Sequence, residues 1–263
     1  MKGAKLRVVI AGAGGKMGRT LIEGVLADKS LALAAALDAR GSPVVGTSIG
    51  GIKVGSDVAK AVASGDVMID FTRPEGTIEH LEACARLGKP IVIGTTGFPE
   101  PLKKAILKAG RMIPIAMSPN FAVGVNVVFK LAEVAAGILG DDYDVEIIEA
   151  HHRHKVDAPS GTALKLGEII ASSLKRDLKK EAKHGREGDT GARTAKQIGF
   201  HAIRGGDIVG EHTVVFAGAG DRVELTIRSQ SRMTYALGAL RAARFLRGKR
   251  PGLYDMKDVL GLK

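Results

Sequence analysis

The sequence of 263 residues contains no tryptophan, a single cysteine and only 4% aromatic residues. One thiol excludes a disulfide framework and any zinc or iron–sulfur centre built on several cysteines, and it fits a reducing compartment. Cys84 falls on an expected helix, where core packing accounts for it. So few aromatics leave little of the stacking surface on which single-stranded nucleic acid is held. No run of 18 apolar residues occurs. The stretch Val8-Val9-Ile10-Ala11, behind Met1-Lys2-Gly3-Ala4-Lys5-Leu6-Arg7, is broken by glycines before it reaches the length of a signal-peptide core. The expectation is a soluble, cytoplasmic protein with neither a membrane nor a nucleic acid as partner.

What the chain has is positive charge and glycine: 39 Lys and Arg against 28 Asp and Glu, a formal balance of +11, and 35 Gly. Such charge suits an anionic ligand, a nucleotide or a carboxylate, as well as nucleic acid. The basic residues are dispersed and lack interleaved aromatics, which disfavours a nucleic-acid module. Hydrophobic residues at 45% supply core for one large domain or two smaller ones.

Over the first 120 residues, short buried-strand runs alternate with amphipathic stretches, the pattern of a doubly wound parallel sheet. Strands are expected at Arg7–Ala11, Leu33–Leu37, Val67–Phe71, Ile91–Gly94 and Ile113–Met117. Helices are expected at Met17–Ala27, Asp57–Ala63, Pro74–Leu87 and Pro99–Ala109, with Pro74 suited to a first turn. Beyond Pro119 come a helix at Val123–Leu139, a strand at Asp144–Ala150 and a helix at Pro159–Leu174. The basic run Lys175–Lys196 reads as a solvated helix end and mobile loop. Three β-rich runs follow, Gln197–Ile203, Asp207–Ala217 and Arg222–Ser229, joined by glycine turns that suggest an antiparallel sheet. A last helix, Thr234–Arg247, is long enough to return to the first sheet. The expected fold is α/β: a Rossmann-like doubly wound domain, 1–122 and 232–263, around an α+β domain, 123–231, with a mixed or antiparallel sheet. A hinge is expected near Asn120–Val123 and Ser229–Met233.

Gly12, Gly15 and Gly18 follow the first strand and open the first helix, in Gly12-Ala13-Gly14-Gly15-Lys16-Met17-Gly18. Glycines so placed allow a tight turn and let a pyrophosphate approach N–H groups at the positive helix end. The spacing is G-x-x-G-x-x-G, and a purely structural turn competes with it. A phosphate P-loop is disfavoured because Met17, in place of Ser or Thr, follows Lys16. Asp38 ends the second strand, where dinucleotide folds place an acid on the adenosine ribose; this favours NAD and leaves NADP open through Arg40. Gly94-Thr95-Thr96-Gly97 and Ser118-Pro119-Asn120-Phe121 fall at carboxyl ends of parallel strands, where open sheets bind ligands. Asn120 is suited to a nicotinamide carboxamide.

The segment Glu149-Ala150-His151-His152-Arg153-His154-Lys155-Val156-Asp157-Ala158-Pro159-Ser160-Gly161-Thr162-Ala163 concentrates His, Lys and a helix-start signature. Histidine offers a proton near neutral pH, and a Lys crowded by cations or desolvated becomes a donor. The helix start presents N–H groups and hydroxyls to an anion. This describes a site where a carboxylate is held and a proton is delivered. A metal site on His151, His152 and His154 is a weaker reading, because adjacent strand residues point to opposite faces and Arg153 and Lys155 repel a cation; no metal is expected.

The glycine loop, Asp70-Phe71-Thr72-Arg73-Pro74-Glu75-Gly76, Val92-Ile93-Gly94-Thr95-Thr96-Gly97-Phe98, Asn120-Phe121-Ala122-Val123-Gly124-Val125-Asn126, the His/Lys segment, Gly205-Gly206-Asp207-Ile208-Val209-Gly210-Glu211-His212 and Ser231-Arg232-Met233-Thr234 together closely resemble the dihydrodipicolinate reductase family. The resemblance runs essentially end to end and implies a cytoplasmic, homotetrameric enzyme of lysine and diaminopimelate biosynthesis. It implies hydride transfer from NADH or NADPH to C4 of a cyclic dicarboxylate, with a proton added beside it. His151 and Lys155 match the family's catalytic pair, and His152, Gly161 and Thr162 its substrate-carboxylate positions. Gly12, Ala13, Gly14, Gly15, Lys16, Met17, Asp38, Gly94, Thr95, Thr96, Ser118, Pro119, Asn120 and Phe121 match its cofactor contacts. Two features depart from the family pattern: Ala39 stands where NADPH-using members often carry Arg, and the segment between Val45 and Asp66 is short.

Overall fold

The computed structural model describes residues 4–262; Met1 to Gly3, which begin the N-terminal stretch read above, and Lys263 lie outside the described residues. The described residues of Met1–Val123 and Arg232–Lys263 form one compact unit, and Gly124–Ser231 form another.

The first unit runs β1 (Leu6–Ala11), α1 (Lys16–Ala27), β2 (Leu31–Leu37), a small hairpin of β3 (Ser48–Ile49) and β4 (Ile52–Lys53), α2 (Val58–Ser64), β5 (Val67–Asp70), α3 (Pro74–Arg86), β6 (Ile91–Ile93), α4 (Glu100–Ala109) and β7 (Pro114–Met117). The second unit holds α5 (Val123–Leu139), a 3-10 turn (Gly140–Asp142), β8 (Asp144–His151), α6 (Gly161–Ser173), α7 (Leu178–Glu181), β9 (Ala182–His184), β10 (Ile198–Arg204), β11 (Gly210–Ala217) and β12 (Arg222–Ser229). The chain then re-enters the first unit as α8 (Met233–Leu246), β13 (Gly252–Tyr254) and α9 (Met256–Leu260).

In the first unit the sheet order is β13-β7-β6-β5-β1-β2, with every pairing parallel. Strand β1 shows why the sheet is covered on both sides. Its Val8 and Ile10 pack with Leu21 and Val25 of α1 and Ala239, Leu240 and Ala243 of α8, while Val9 and Ala11 pack with Leu81 and Cys84 of α3 and Ile106 of α4. Successive residues of a strand face opposite ways, so an unbroken apolar run needs a helix layer on each face. Cys84 is fully buried in the second of these layers. The sheet reverses direction of growth at β1, which pairs with both β2 and β5. That is the position at which an open α/β sheet forms its ligand crevice, beyond the carboxyl ends of the strands.

The second sheet is mixed, in the order β12-β11-β8-β10-β9. Here the expectation of successive antiparallel neighbours fails for β10 and β11. Strand β10 pairs parallel with one edge of β8, and β11 pairs antiparallel with the other. The glycine turn between them passes the end of β8, where Gly205 N donates to His151 O and Arg153 N donates to Gly206 O. The apolar face of β8, Val145 and Ile147, is covered by the buried side of α6, including Leu166 and Ile170. The opposite face presents Ile148, Ile203, Thr213 and Val215, and Ile203 is 52% exposed.

The basic run is also more ordered than its composition suggests. It contains α7 and β9, the latter pairing with β10. Arg193 donates to Asp144, Glu146 and the carbonyls of Val145 and Gln197, and Arg186 grips both oxygens of Glu146. Hydrogen bonds from Arg186, His201 and Arg193 bring the Glu146 carboxyl down to about 2 despite its burial, which alone would raise it. Four further elements escaped the sequence pattern, β3, β4, β13 and α9, because strands of two or three residues and a five-residue helix carry no detectable periodicity.

Helix α5 and its following turn, Val123–Asp142, form a 20-residue segment of hydropathy 1.6, long and apolar enough to cross a membrane. Lys130 and Glu133 interrupt it and pair with one another, and Val125, Val128, Phe129, Ala132 and Ala136 are buried within the fold.

Candidate active site

At the carboxyl end of β1 the chain turns sharply through Gly12, whose φ of +72° is left-handed, and Gly15 N closes the turn on Gly12 O. Gly15 is the N-cap of α1 and supplies no side-chain cap, and the first turn carries no acidic residue. The positive end of the helix is thereby left for an external anion. Lys16 is exposed beside it, and Ala13 is buried with its N–H on Leu37 O.

Asp38 reaches across from the end of β2. Its Oδ2 accepts from Gly14 N at 2.7 Å and its Oδ1 from Ala39 N at 2.9 Å. The two backbone bonds fix the carboxylate in place and leave lone pairs for ribose hydroxyls. Ala39 and Arg40 next to it are both exposed.

The neighbouring strand ends are organised by Asp70, which is fully buried. Its oxygens accept from Thr72 N and Oγ1, from Thr77 and Thr95 Oγ1, and from His80 Nδ1 at 2.5 Å. Burial pushes this carboxyl up, and the His80 and Thr72 bonds more than reverse that, so it stays ionised. Thr95 therefore has its hydroxyl turned inward, whereas Thr96 is exposed. The methyl of Thr72 stands 3.1 Å from where a side chain on Gly12 would begin, which brings the β1 and β5 ends together. Ser118 Oγ donates to Asn120 O and Asn120 Oδ1 accepts from Ala122 N, shaping the turn after β7. A cavity of about 300 Å³ opens between Met17, Phe71, Pro119, Asn120, Phe121 and Tyr235. An uncapped helix end, a fixed carboxylate near it and an apolar cleft with polar turns fit a dinucleotide.

In the second unit, Glu149 and His151 lie two residues apart on β8 and so share a face. Glu149 is 1% exposed and has every oxygen engaged. Its Oε2 accepts from His151 Nδ1 at 2.6 Å, its Oε1 from Ser160 N at 3.1 Å, and both are gripped by Arg204. Burial raises the Glu149 carboxyl, but the Arg204 and His151 bonds outweigh it and keep it ionised. Burial also lowers the His151 imidazole, with Glu149 pulling the other way. An ionised carboxylate only accepts, so the shared proton sits on His151 Nδ1 and the neutral ring carries a lone pair on Nε2.

His212 from β11 lies edge-on to His151 with ring centres 5.2 Å apart and bonds Ser160 Oγ through Nε2 at 2.9 Å. Ser160 caps α6 through Ala163 N, so the helix begins at Gly161, two residues later than the sequence pattern suggested. Gly161 is exposed at this helix end and Thr162 half-buried. His152 Nδ1 is buried without a partner, its ring tilted over His154. Lys155 Nζ is bound by both oxygens of Asp157, at 2.7 and 2.8 Å.

Of the residues picked out in the sequence, His151, His152, Lys155, Gly161 and Thr162 all lie on the single passage from β8 into α6. The cofactor candidates line the strand ends of the other unit. Sequence reasoning missed Asp70, Thr72, Glu149, Arg204 and His212 as site-shaping groups. The Glu149-x-His151 spacing was a readable signal for one of them.

A doubly wound sheet with a glycine turn at its switch point and a backbone-fixed acid at the end of the next strand is the architecture of a dinucleotide-dependent oxidoreductase. Residues 6–121 match the N-terminus of dihydrodipicolinate reductase and residues 124–260 its C-terminus, so the chain belongs to the dihydrodipicolinate reductase family. It is 58% identical over 265 residues to a 4-hydroxy-tetrahydrodipicolinate reductase of Aromatoleum aromaticum, covering 98% of this chain and 96% of that one. It is 56% identical to the enzyme of the same name from Dechloromonas aromatica, with 98% of each chain covered. A dipicolinate-bound dihydrodipicolinate reductase from Paenisporosarcina sp. TG-14 has the same fold at a TM-score of 0.79 and 27% identity, with 97% of this chain and 98% of that one covered.

Proposed function

We propose that the protein reduces 4-hydroxy-tetrahydrodipicolinate, or the dihydrodipicolinate formed from it by loss of water, to tetrahydrodipicolinate in lysine and diaminopimelate biosynthesis. The relatives at 54–58% identity all carry the name of this reductase. When bound, NADH or NADPH supplies a hydride to C4 of the ring. Gly12, Gly14, Gly15 and the first turn of α1 at Lys16 and Met17 hold the pyrophosphate, and Asp38 holds the ribose. The turns at Gly94, Thr95 and Thr96 and at Ser118, Pro119, Asn120 and Phe121 enclose the nicotinamide. Ala39 and the fixed Asp38 carboxylate favour NADH, since that carboxylate repels a 2′-phosphate, with Arg40 as the cation that admits NADPH.

The substrate carboxylates belong to the positive start of α6 at Gly161 and Thr162 and to His152, whose unpaired buried nitrogen is the unspent polar group of this segment. The observation that carries the proton assignment is the His151–Glu149 bond. With its proton committed to Glu149, neutral His151 offers a lone pair, which suits a partner that orients and relays. The ammonium of Lys155 is then the donor of the proton added beside the hydride. A dicarboxylate entering this loop competes with Asp157 for that ammonium. The open face of the mixed sheet, with Ile148, Ile203 and Val215, supports assembly as a homotetramer.

The test is a spectrophotometric assay of NADH and of NADPH oxidation with freshly generated substrate. Turnover with the cyclic dicarboxylate is expected, and Lys155→Ala is expected to lower kcat by about 10²–10⁴. Near-normal turnover of that variant would remove Lys155 from the donor role.

A further inference from the structure

Arg204 occupies the end of β10, in parallel register opposite His151 on β8. Its guanidinium makes four hydrogen bonds, one to the adjacent carbonyl of Ile203 and three to groups of the site. Nη1 donates to Glu149 Oε2 at 2.8 Å and Nη2 to Glu149 Oε1 at 2.7 Å, while Nη2 also donates to the carbonyl of Asp157 at 2.7 Å. Glu149 in turn receives His151, and the Asp157 carboxylate receives Lys155. We propose that Arg204 is a positioning residue that couples the two proton-handling groups, as the centre of one polar chain running His151, Glu149, Arg204, Asp157, Lys155. This rests on the assignment of His151 and Lys155 given above.

The physical need for such a residue is plain. A carboxylate buried as deeply as Glu149 is strongly disfavoured unless it is neutralised and all its lone pairs are used. A planar fork meets both oxygens and still directs an N–H at a third acceptor, which an ammonium cannot do in one geometry. The same fork fixes the backbone at Asp157, two residues from Lys155, so the reach of that ammonium and the tilt of His151 are set together.

The groups that face His151 are Glu149 on its own strand, Arg204 from β10, His212 from β11 and Lys155 from the loop. Glu149 favours the protonated ring, while Lys155, Arg204 and burial oppose it. Removing the guanidinium takes away one of these opposing influences, so His151 takes up a proton at higher pH than before.

The experiment compares wild type with Arg204→Met and Arg204→Lys in the full chain. It measures the pH dependence of kcat and KM, the NMR titration of the His151 ring, and the NADH dissociation constant. Arg204→Met is expected to lose on the order of 10² in kcat, to titrate His151 at higher pH and to leave NADH binding unchanged. Arg204→Lys is expected to restore the His151 titration toward wild type while kcat stays reduced, because charge returns without the three-bond geometry. Wild-type kcat in both variants, or an unmoved His151 titration in Arg204→Met, overturns the proposal. If Arg204→Met does not fold, wild-type kcat in Arg204→Lys overturns it alone. Normal turnover in Lys155→Ala and His151→Gln would instead sink the proton assignment, whereas the His151 titration in Arg204→Met reports the coupling independently of it.

Discussion

Glu149 decides the state of the residues around it, and its importance was only half legible. A Glu two positions before a His on an apolar strand places both on one face, which can be read from the sequence. That the Glu is clamped by Arg204 and that His212 stands over the pair depends on β10 and β11, strands far along the chain from β8. No local pattern encodes that. His212 also carries a consequence for stability. It is 5% exposed, and burial, helped by His151, pushes its imidazole down to about 4. The unfolded chain binds this proton near pH 6.5 while the native one refuses it until about pH 4, so its contribution is intact above pH 6.5 and is lost as pH falls through that window. The loss is worth up to about 3 kcal/mol. Urea unfolding at pH 7.5 and pH 4.5 is expected to show a smaller pH dependence in His212→Gln than in wild type; an equal dependence would refute the shift.

At the scale of elements, the glycine loop shows what spacing can tell and what it cannot. Gly12, Gly15 and Gly18 announce a turn entering a helix, but their separate duties emerge only from contacts. Gly12 supplies the left-handed φ, whereas Gly18 allows α1 to press on the loop: a side chain there would start 2.0 Å from Gly12 O. The obstacle is backbone, which cannot step aside. Gly18→Ala is therefore expected to cost about 3 kcal/mol and to weaken NADH binding, checked by thermal unfolding and by titration of cofactor fluorescence. Unchanged values of both would show that the loop tolerates displacement. The basic run 175–196 teaches the opposite lesson. Its charge pattern is that of a solvated loop, yet Arg186 and Arg193 are committed to Glu146 and Asp144. Charge composition cannot distinguish a cation in water from one with a partner fifty residues back in the chain.

For the whole molecule, the proposed assembly is the property most open to measurement. Light scattering at low and high salt is expected to give a mass about four times the 27.5 kDa of the chain. A monomer at both ionic strengths would contradict the homotetramer. Sequence by itself determined the alternation of apolar strands and amphipathic helices, the split of the first unit around an inserted second, and the two segments to which the proposed chemistry is assigned. Those follow from periodicity and from residue types at fixed short spacings, which are local properties. Only the tertiary structure decided that β8 lies between β10 and β11, and hence that Arg204 and His212 flank His151 from opposite sides. Strand order is chosen by which edges bury the most apolar surface and satisfy the most backbone groups at once, a balance summed over the whole unit and written in no single stretch of it.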